Sequence, residues 1–494
     1  MPLLGLESFT LKNRSRLFQM ICGLLLAVST LTLSSCSHPI YYYTQYNFAG
    51  RVVPPSGLLQ RVMVGTSIDG GVGTLNIIDG LRDIRSNVQN TIHSFQIAGY
   101  ATGFPNLILD FPEQLRGYVW SSTTGGLSAI DYSKENVGAS SNLPANAAIA
   151  ISETFNHYYA ATENAGQWIV IDNTTQSPSS YALNIANVFQ TVVNQGDTVA
   201  LAMVRNSSTI YRLVKLNPNQ ANPPGAVDCQ PYNLPLYCAI PVVGTFDHPI
   251  GAYFSADGTT VYILNAGPEY GGTTASVTFL QQGPLNVNSI PTASPDTSAF
   301  IANVPVPGGV TAAISDGTTL YVSGQQRQSD GLFAGRLSTI NLATLAVTGS
   351  YSISDGNHSK MLFADDNTLW IGSQACAVGE RQHQASLGVT TQAANYNCLT
   401  RFDLGAKTAS IVPAITPGGA TTVPYPNQNA DPYYYGDLTG ICWVQNYHKV
   451  YTAYGGQVHA FNTPDGSEIN NFFITVQGTA LDVAYMDALT NSAD

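Results

Sequence analysis

Short runs of alternating apolar and polar residues recur along most of the chain, and turn sequences rich in Gly, Asp or Asn separate them. The stretch HPIGAYFSADGTTVYILNAG, residues 248–267, is typical, because two such runs flank Asp257 and Gly258. This pattern predicts a β-hairpin with a tight turn. A lone hairpin buries too little apolar surface to be stable in water, so the unit requires a partner sheet or further copies of itself.

The first strand of this hairpin has counterparts along the whole chain, which indicates a repeat architecture. The eight copies are residues 104–111, 144–152, 187–194, 248–255, 308–315, 358–365, 438–445 and 479–486. A pair of further strands follows each of the first seven copies. The eighth copy has no pair after it, whereas the strand pair at 61–79 has no leading strand before it. We therefore expect the C-terminal strand to complete the sheet that the N-terminal pair begins.

The predicted fold is all-β, a single β-propeller of eight four-stranded blades closed by that pairing of the C-terminal strand with the N-terminal blade. In such a ring, each apolar blade face is covered by the neighbouring blade. Seven blades is the alternative, if the divergent copy at 187–216 is not a separate blade. The Pro-rich stretches at 218–241 and 412–432 are interpreted as insertions between repeats.

The strand pairs also resemble a known family. Sequences such as VYILNAG and TLYVSGQ resemble the YVTN-type β-propeller repeat across residues 58–488. With strands named a to d from the axis outward, the resemblance implies that a-to-b and c-to-d connections share one face. The b-to-c and d-to-a connections share the other. It implies little about activity, because one fold supports many functions.

Composition agrees with this fold, since only 10% of the residues are charged and the chain holds 45 Gly and 27 Tyr. Strands joined by polar turns have such a composition more often than long helices do. No nucleophile elbow, phosphate-binding loop, HExxH or CxxC motif occurs in the sequence. We therefore predict no cofactor, no metal and no catalytic residue.

The N-terminus has the pattern of a targeting segment. Lys12, Arg14 and Arg16 precede an apolar core at 20–33, and the sequence LSSC ending at Cys36 resembles a bacterial lipobox. We expect residues 1–35 to be a lipoprotein signal peptide, Cys36 to carry the acyl anchor, 36–57 to form a tether and 58–494 to form the propeller. The expected location is the bacterial cell envelope, at the outer membrane. An ordinary signal peptide with an incidental cysteine is the alternative.

Removal of residues 1–35 takes three of the 19 basic and one of the 31 acidic residues, which leaves 16 against 30. This excess of negative charge argues against a nucleic-acid partner. An exported chain permits disulfide bonds. The pairs close in sequence are Cys229 with Cys238 and Cys376 with Cys398, and Cys442 is expected to be a buried free thiol.

The longest connections are expected on the face that carries the b-to-c and d-to-a loops, where binding function is usually found. Aromatic and Arg side chains commonly anchor protein or glycan ligands. The candidates on these loops are Tyr270, Arg327, Arg336, Arg381, Tyr433, Tyr434 and Tyr435. His248, His358 and Asp437 lie at or just before the starts of a-strands, where they are expected at the mouth of the central channel.

Two functions fit these observations. The first is a lipid-anchored, non-enzymatic propeller that binds or scaffolds a protein or glycan on the loop-rich face. The second is a propeller enzyme, a lactonase or a glycan-active hydrolase or lyase, with its site at the channel mouth. A cluster of carboxylate, His and Arg side chains in the channel would favour the enzyme, and a lining of backbone, Ser and Thr would favour the binding protein.

Overall fold

The structure is a computed structural model, and it describes residues 52–68, 71–85, 95–174, 179–217, 220–230, 236–376, 397–414, 435–469, 474 and 476–493. The chain divides into two units, Met1–Leu59 and Gln60–Asp494. In the first unit, residues 52–59 contain a turn in which the Gly57 amide donates to the Pro54 carbonyl over 2.9 Å. The predicted signal peptide and Cys36 lie outside the described residues. Among the residues that are described, no helix is long and apolar enough to cross a bilayer.

The second unit consists of strands arranged as eight antiparallel sheets. The first three strands in the chain are β1 (Arg61–Ile68), β2 (Val72–Asp79) and β3 (Phe95–Gln96). Blade 1 contains β4 (Leu107–Phe111), β5 (Arg116–Ser121), β6 (Gly126–Asp131) and β7 (Asn136–Asn142). Blade 2 contains β8 (Ala148–Ile151), β9 (His157–Thr162), β10 (Gln167–Asp172) and β11 (Ser179–Asn184). Each strand pairs with the next in the chain, as in a meander.

Blade 3 has five strands, β12 (Val188–Val193), β13 (Ala200–Val204), β14 (Ile210–Leu216), β15 (Asp228–Cys229) and β16 (Leu236–Pro241), in the order β12-β13-β14-β16-β15. The copy at 187–216 is therefore a separate blade, and the prediction of eight blades over seven is confirmed. The Pro-rich stretch at 218–241 was wrongly placed between repeats. It lies inside blade 3, where it supplies the edge strand β15 and the outer strand β16.

The remaining strands continue the same pattern. Blade 4 contains β17 (Pro249–Phe254), β18 (Thr260–Asn265), β19 (Ser276–Gln281) and β20 (Phe300–Pro305), with a short α-helix at Gln282–Leu285. Blade 5 contains β21 (Ala312–Ser315), β22 (Thr319–Arg327), β23 (Phe333–Asn341) and β24 (Ala346–Ser352). Blade 6 contains β25 (Asn357–Ala364), β26 (Thr368–Gln374), β27 (Leu399–Asp403) and β28 (Thr408–Val412). Blade 7 contains β29 (Leu438–Val444), β30 (Lys449–Tyr454) and β31 (Gln457–Asn462), and β32 (Thr479–Tyr485) is the last strand.

The ring closes as the sequence predicts. β32 pairs antiparallel with β1, with Val64 opposite Val483, and the closing sheet has the order β3-β2-β1-β32. The C-terminal strand is thus the innermost strand of blade 8, and the N-terminal strands form its outer part. This arrangement ties the two ends of the propeller sequence together without an additional element.

The b-strands show why the apolar runs are continuous. β30 is buried at all six positions and β26 at six of seven, because blades lie against both faces of these strands. Outer strands such as β24 and β7 are mostly exposed. Trp168 and Trp370 are completely buried between neighbouring blades. Packing between blades therefore supplies most of the apolar burial that stabilises the ring.

The tight turn at residues 255–260 and the two disulfides match the predictions from the sequence. At the turn of residues 255–260, an Asp257 carboxylate oxygen accepts from the Thr259 amide over 3.0 Å, and Gly258 has a φ of 71°. This left-handed geometry favours Gly. Cys229 bonds to Cys238 across the β15–β16 pair, Cys376 bonds to Cys398, and Cys442 is buried and belongs to neither disulfide. These pairings confirm the prediction from spacing.

Candidate functional site

We call the face with the b-to-c and d-to-a connections the loop-rich face and the opposite one the turn face. Most long connections are expected on the loop-rich face, but the long c-to-d connection at 282–299 lies on the turn face. It packs on blade 3, where Arg212 donates to the Ser289 carbonyl over 2.8 Å. It joins neighbouring blades, so the loop-rich face is the better place to look for a binding site.

A group of partly exposed polar and aromatic side chains lies at the loop-rich mouth of the ring, and we call it the mouth cluster. It contains Glu163 and Arg205 from b-to-c turns, Phe189 from β12, and Glu269 and Tyr270 from the blade 4 loop. Arg205 pairs with Glu163, and its guanidinium lies 4.3 Å from the centre of the Phe189 ring. The cluster therefore brings together residues from blades 2, 3 and 4.

Tyr270 is the most open aromatic residue of this cluster, with 37% of its surface exposed. It ends a 3₁₀ turn, Gly267–Tyr270, that Gly271 terminates with a φ of 91°. Partial burial raises the pKa of the Tyr270 hydroxyl, nearby Glu269 raises it further and Arg205 lowers it. Tyr270 therefore remains neutral at physiological pH and presents a hydroxyl and an aromatic face together.

Glu269 points the other way, toward blade 5. Its carboxylate accepts from the Gln325 amide over 2.8 Å and from the Gln325 side chain over 3.2 Å. Gln325 also donates to Asn357 of blade 6 over 3.3 Å. Burial raises the pKa of Glu269 to about 7, although both hydrogen bonds from Gln325 lower it. The carboxyl group therefore changes charge near neutral pH.

A cleft of about 180 Å³ lies beside Glu269, between the b-to-c loop of blade 4 and the start of the corresponding loop of blade 5. Its lining includes Pro268, Thr273, Gly308, Gly309, Gln325 and Arg327. Gly309 is required there, because a Cβ atom at this position would lie 1.9 Å from a Glu269 carboxylate oxygen. Backbone groups and short polar side chains thus form most of this cleft.

Asp247 fixes the Thr273 wall of the cleft. One carboxylate oxygen accepts from the Thr273 and Thr274 amides, each over 2.7 Å, and the other accepts from His248 over 2.8 Å. Burial alone would raise the pKa of Asp247, but these hydrogen bonds lower it to about 2. Asp247 therefore holds the d-to-a connection against the blade 4 loop, and His248, a predicted mouth residue, contacts the Asp247 carboxylate.

The other predicted residues have different surroundings. Arg327 and Arg336 were expected on a long b-to-c loop, but Arg327 is the last residue of β22 and Arg336 lies on β23. Arg327 lines the cleft, and the Cβ and Cγ atoms of Arg336 lie close to Gly308. Asp437 is exposed and accepts from the Ala375 amide over 2.6 Å. Arg381, Tyr433 and Tyr434 lie outside the described residues.

Two of the expected binding residues are buried instead. His358 is enclosed by the blade and donates to the Ser354 carbonyl over 2.9 Å, and burial lowers its pKa to about 4 despite that hydrogen bond. Tyr435 is only 4% exposed, and its ring packs 4.6 Å from that of His459. Neither side chain offers the open surface that was expected, because the ring covers both faces of each blade.

The channel contains one charged pair that sequence reasoning missed. Asp482 on β32 accepts from Lys360 of β25 over 3.4 Å and from the Ile108 amide of β4 over 2.8 Å. Gly440 makes room for this carboxylate, since a Cβ atom there would lie 2.3 Å from it. Burial raises the pKa of Asp482, although Lys360 and the amide hydrogen bonds lower it. The pair connects inner strands of blades 1, 6 and 8.

Within the described parts of the chain, no group of three or more His, Cys, Asp or Glu side chains has the geometry of a metal site. The mouth cluster and the adjoining cleft are thus the candidate site.

Comparison with known proteins bears on the fold. No family model matches the sequence, and no curated protein matches it. Among solved structures, the chain is similar to the dihydro-heme d1 dehydrogenase NirN in complex with DHE, at 12% identity over 87% of this chain and 75% of that one, with a TM-score of 0.52. It is also similar to Citrobacter koseri AztD, at 9% identity over 86% of this chain and 96% of that one, with a TM-score of 0.46. At 12% identity, the likeness to the first of these structures bears on the fold alone.

Proposed function

We propose that this protein is a β-propeller of the bacterial cell envelope that binds a protein or glycan ligand on its loop-rich face. The mouth cluster is the observation that carries the proposal. Arg205 and Glu163 keep about 40% and 37% of their side-chain surface exposed, and Tyr270 is similarly open. Side chains from three blades therefore meet at a position that is accessible to a ligand. Packing between the blades does not require these residue types there.

The chemistry of the cluster suits a ligand with both apolar faces and hydrogen-bonding groups. Tyr270 and Phe189 supply aromatic surface, and Arg205 lies over the Phe189 ring. Buried aromatic and Arg contacts supply much of the binding energy in protein interfaces. The polar wall of the adjoining cleft, with Thr273 and Gln325, adds oxygen acceptors for the hydroxyl groups of a ligand.

Binding assays on matched variants test the proposed face. The mature protein is screened against a glycan array and cross-linked to envelope proteins, and the ligand found is titrated against Tyr270→Ala and Arg205→Ala. Each change should weaken binding at least tenfold, which is about 1.4 kcal/mol. Tyr447→Ala is the control, because Tyr447 is 38% exposed and lies in an a-to-b turn on the turn face. Equal affinities for all three variants and the native protein would contradict the proposal.

The membrane anchor is proposed from the sequence. Acylation of Cys36 provides stable attachment to a bilayer without a transmembrane helix. Cys36→Ser should block processing and remove the acyl label, and the variant should accumulate as precursor. Continued labelling by a palmitate analogue would refute the assignment of Cys36. A separate experiment tests the outer-membrane location: the membranes of labelled cells are fractionated, and the acylated protein should be found in the outer-membrane fraction.

An enzyme acting on glycans is the second candidate, and the Glu269 carboxyl favours it. A carboxyl with a pKa of about 7 can exchange a proton in the physiological range. In the described part of the chain, its hydrogen-bond partners come from Gln325, and no second carboxylate or His joins them. Turnover of an oligosaccharide that Glu269→Gln abolishes, with binding retained, would favour this candidate over the first.

A further inference from the structure

The blade 4 loop is held at two positions, and at each of them a carboxyl group accepts hydrogen bonds from backbone amides. Asp247 accepts from the Thr273 and Thr274 amides, each over 2.7 Å. Glu269 accepts from the Gln325 amide of blade 5 over 2.8 Å. The first contact joins the loop to the connection that leads into its own blade, whereas the second joins it to the next blade.

Glu269 lies in a space that fits its carboxyl group. A Cβ atom on Gly309 would lie 1.9 Å from the Glu269 Oε2 atom, so the missing side chain makes room for it. The Gln325 side chain donates to Oε1 over 3.2 Å and to Asn357 of blade 6 over 3.3 Å, which fixes its orientation. Both groups that donate to Glu269 are neutral, so neither supplies the positive charge that would compensate an ionised carboxylate.

Titratable groups on the surrounding elements do not supply that charge either. They are Tyr270 on the same turn, Asp247 and His248 before β17, Arg205 in blade 3, Arg327 and Arg336 in blade 5, and His358 in blade 6. Burial raises the pKa of Glu269 to about 7, and the contacts that lower it are the hydrogen bonds from Gln325. Burial also raises the pKa of Asp247, but the hydrogen bonds that it accepts lower it to about 2. Of the two carboxyl groups that hold the loop, only that of Glu269 changes charge near neutral pH.

We propose that Glu269 is a pH-sensitive latch, which holds the turn Gly267–Tyr270 on blade 5 when its carboxyl group is protonated and releases the turn when that group ionises. Gly267 and Gly271 bound the turn with φ angles of 55° and 91°. Because glycine has wide backbone freedom, the turn can move between these two positions. Release therefore changes the position of Tyr270 in the mouth cluster. The consequence for ligand binding rests on the proposed function.

The direction of the change follows from the pKa of Glu269 in the two positions of the turn. It is about 7 in the held turn, whereas an exposed Glu has the ordinary value of 4.5. The held turn therefore binds more protons between these pH values, and the ratio of released to held turns should rise by up to about tenfold per pH unit. Above pH 7 the carboxyl group is ionised in both positions, so the ratio should become constant. Acidic pH thus favours the held turn.

Hydrogen exchange of the mature protein between pH 5 and 8, measured by mass spectrometry, tests the latch without a ligand. The Gln325 amide donates to Glu269, so its exchange reports release of the turn. After correction for the intrinsic pH dependence of exchange, its protection factor should fall at least tenfold from pH 5 to pH 8. The Thr273 and Thr274 amides are the internal control, since Asp247 stays ionised over this range.

Two variants identify the group that titrates. Glu269→Gln has the same size and still accepts a hydrogen bond, but it has no acidic proton, so the protection of the Gln325 amide should no longer depend on pH. His248→Gln removes the nearby imidazole, which contacts Asp247, and should preserve the dependence. Circular dichroism over the same pH range verifies that each variant remains folded.

Three results would overturn the latch. They are a corrected protection factor of Gln325 that is constant with pH, a pH dependence that persists in Glu269→Gln, and a pH dependence that His248→Gln abolishes. If the protection of Gln325 changes as expected but Tyr270→Ala leaves the binding of every ligand unchanged, the latch stands and the proposed function fails. If Tyr270→Ala weakens binding but the protection of Gln325 is constant with pH, the proposed function stands and the latch fails.

Discussion

Arg61 on β1 is expected to be one of the most sensitive polar positions in the ring. Its guanidinium binds Asp487 through two N–H groups, over 2.7 and 3.0 Å, and binds Glu135 of blade 1 over 3.0 Å. It also donates to the Tyr132 carbonyl over 2.6 Å. Arg61, Asp487 and Glu135 are all buried. This contact joins the N-terminal strand, the segment after β32 and the first blade.

Replacing Arg61 with Ala removes the cation from beside two buried carboxylates. Loss of one partner of a buried, hydrogen-bonded ion pair costs roughly 3–5 kcal/mol, because the remaining charge lacks compensation. That cost is a large fraction of the about 5–15 kcal/mol by which ordinary folded proteins are stable. We therefore expect Arg61→Ala to lower the free energy of unfolding by about 3 kcal/mol or more.

Urea unfolding of the propeller, followed by tryptophan fluorescence and circular dichroism, measures this loss. Lys134→Ala is the control, because the Lys134–Asp131 pair leaves 69% of the Lys134 side chain exposed and such surface pairs contribute at most about 1 kcal/mol. Arg61→Ala combined with Asp487→Ala should cost less than the sum of the single changes. A loss below about 1 kcal/mol for Arg61→Ala, or strict additivity, would refute the reasoning. Hydrogen exchange should show faster opening of β32 in the variant.

Three further outcomes are expected. Gly309→Ala places a Cβ atom 1.9 Å from the Glu269 carboxylate and 2.7 Å from the Gln325 carbonyl oxygen, so it should cost about 1–3 kcal/mol in urea unfolding. The pKa of Glu269 is raised from its ordinary value of 4.5 to about 7. The folded state therefore binds more protons than the unfolded state between these values, and stability should fall as pH rises through that range, a slope that Glu269→Gln should reduce. Removal of the Cys376–Cys398 disulfide, which spans 22 residues, should cost about 3 kcal/mol by loop entropy, measured with the double Ser variant.

Much of the architecture follows from local patterns. The period of leading strand and strand pair gave the number of blades, and the unpaired strands at the two ends gave the closure between β32 and β1. Turn residues such as Asp257 and Gly258 were recognisable because their backbone geometry depends on neighbours in sequence. Short spacing also identified both disulfides, since the cysteines of each pair are 9 and 22 residues apart.

The candidate site was only partly predictable. Tyr270, Arg327 and Arg336 were selected for residue type and loop position. Tyr270 lies in the blade 4 loop, whereas Arg327, which lines the cleft, and Arg336 lie on the paired strands β22 and β23. Glu269 had no sequence signal, because a lone acidic residue in a loop is usually solvated. Its position in the short turn between Pro268 and Gly271 was the feature that could have indicated a fixed orientation.

Sequence by itself determined the repeat, the register of closure and the tight turns, because these depend on periodicity and on contacts between neighbouring residues. Tertiary structure decided which side chains meet. Glu163 and Arg205 are 42 residues apart, Glu269 and Gln325 are 56 apart, and Lys360 and Asp482 are 122 apart. Closing the strands into a ring brings loops of successive blades to one mouth, and it also buries His358 and Tyr435. The sequence around each residue does not predict these contacts, since they form only when one blade covers the face of the next.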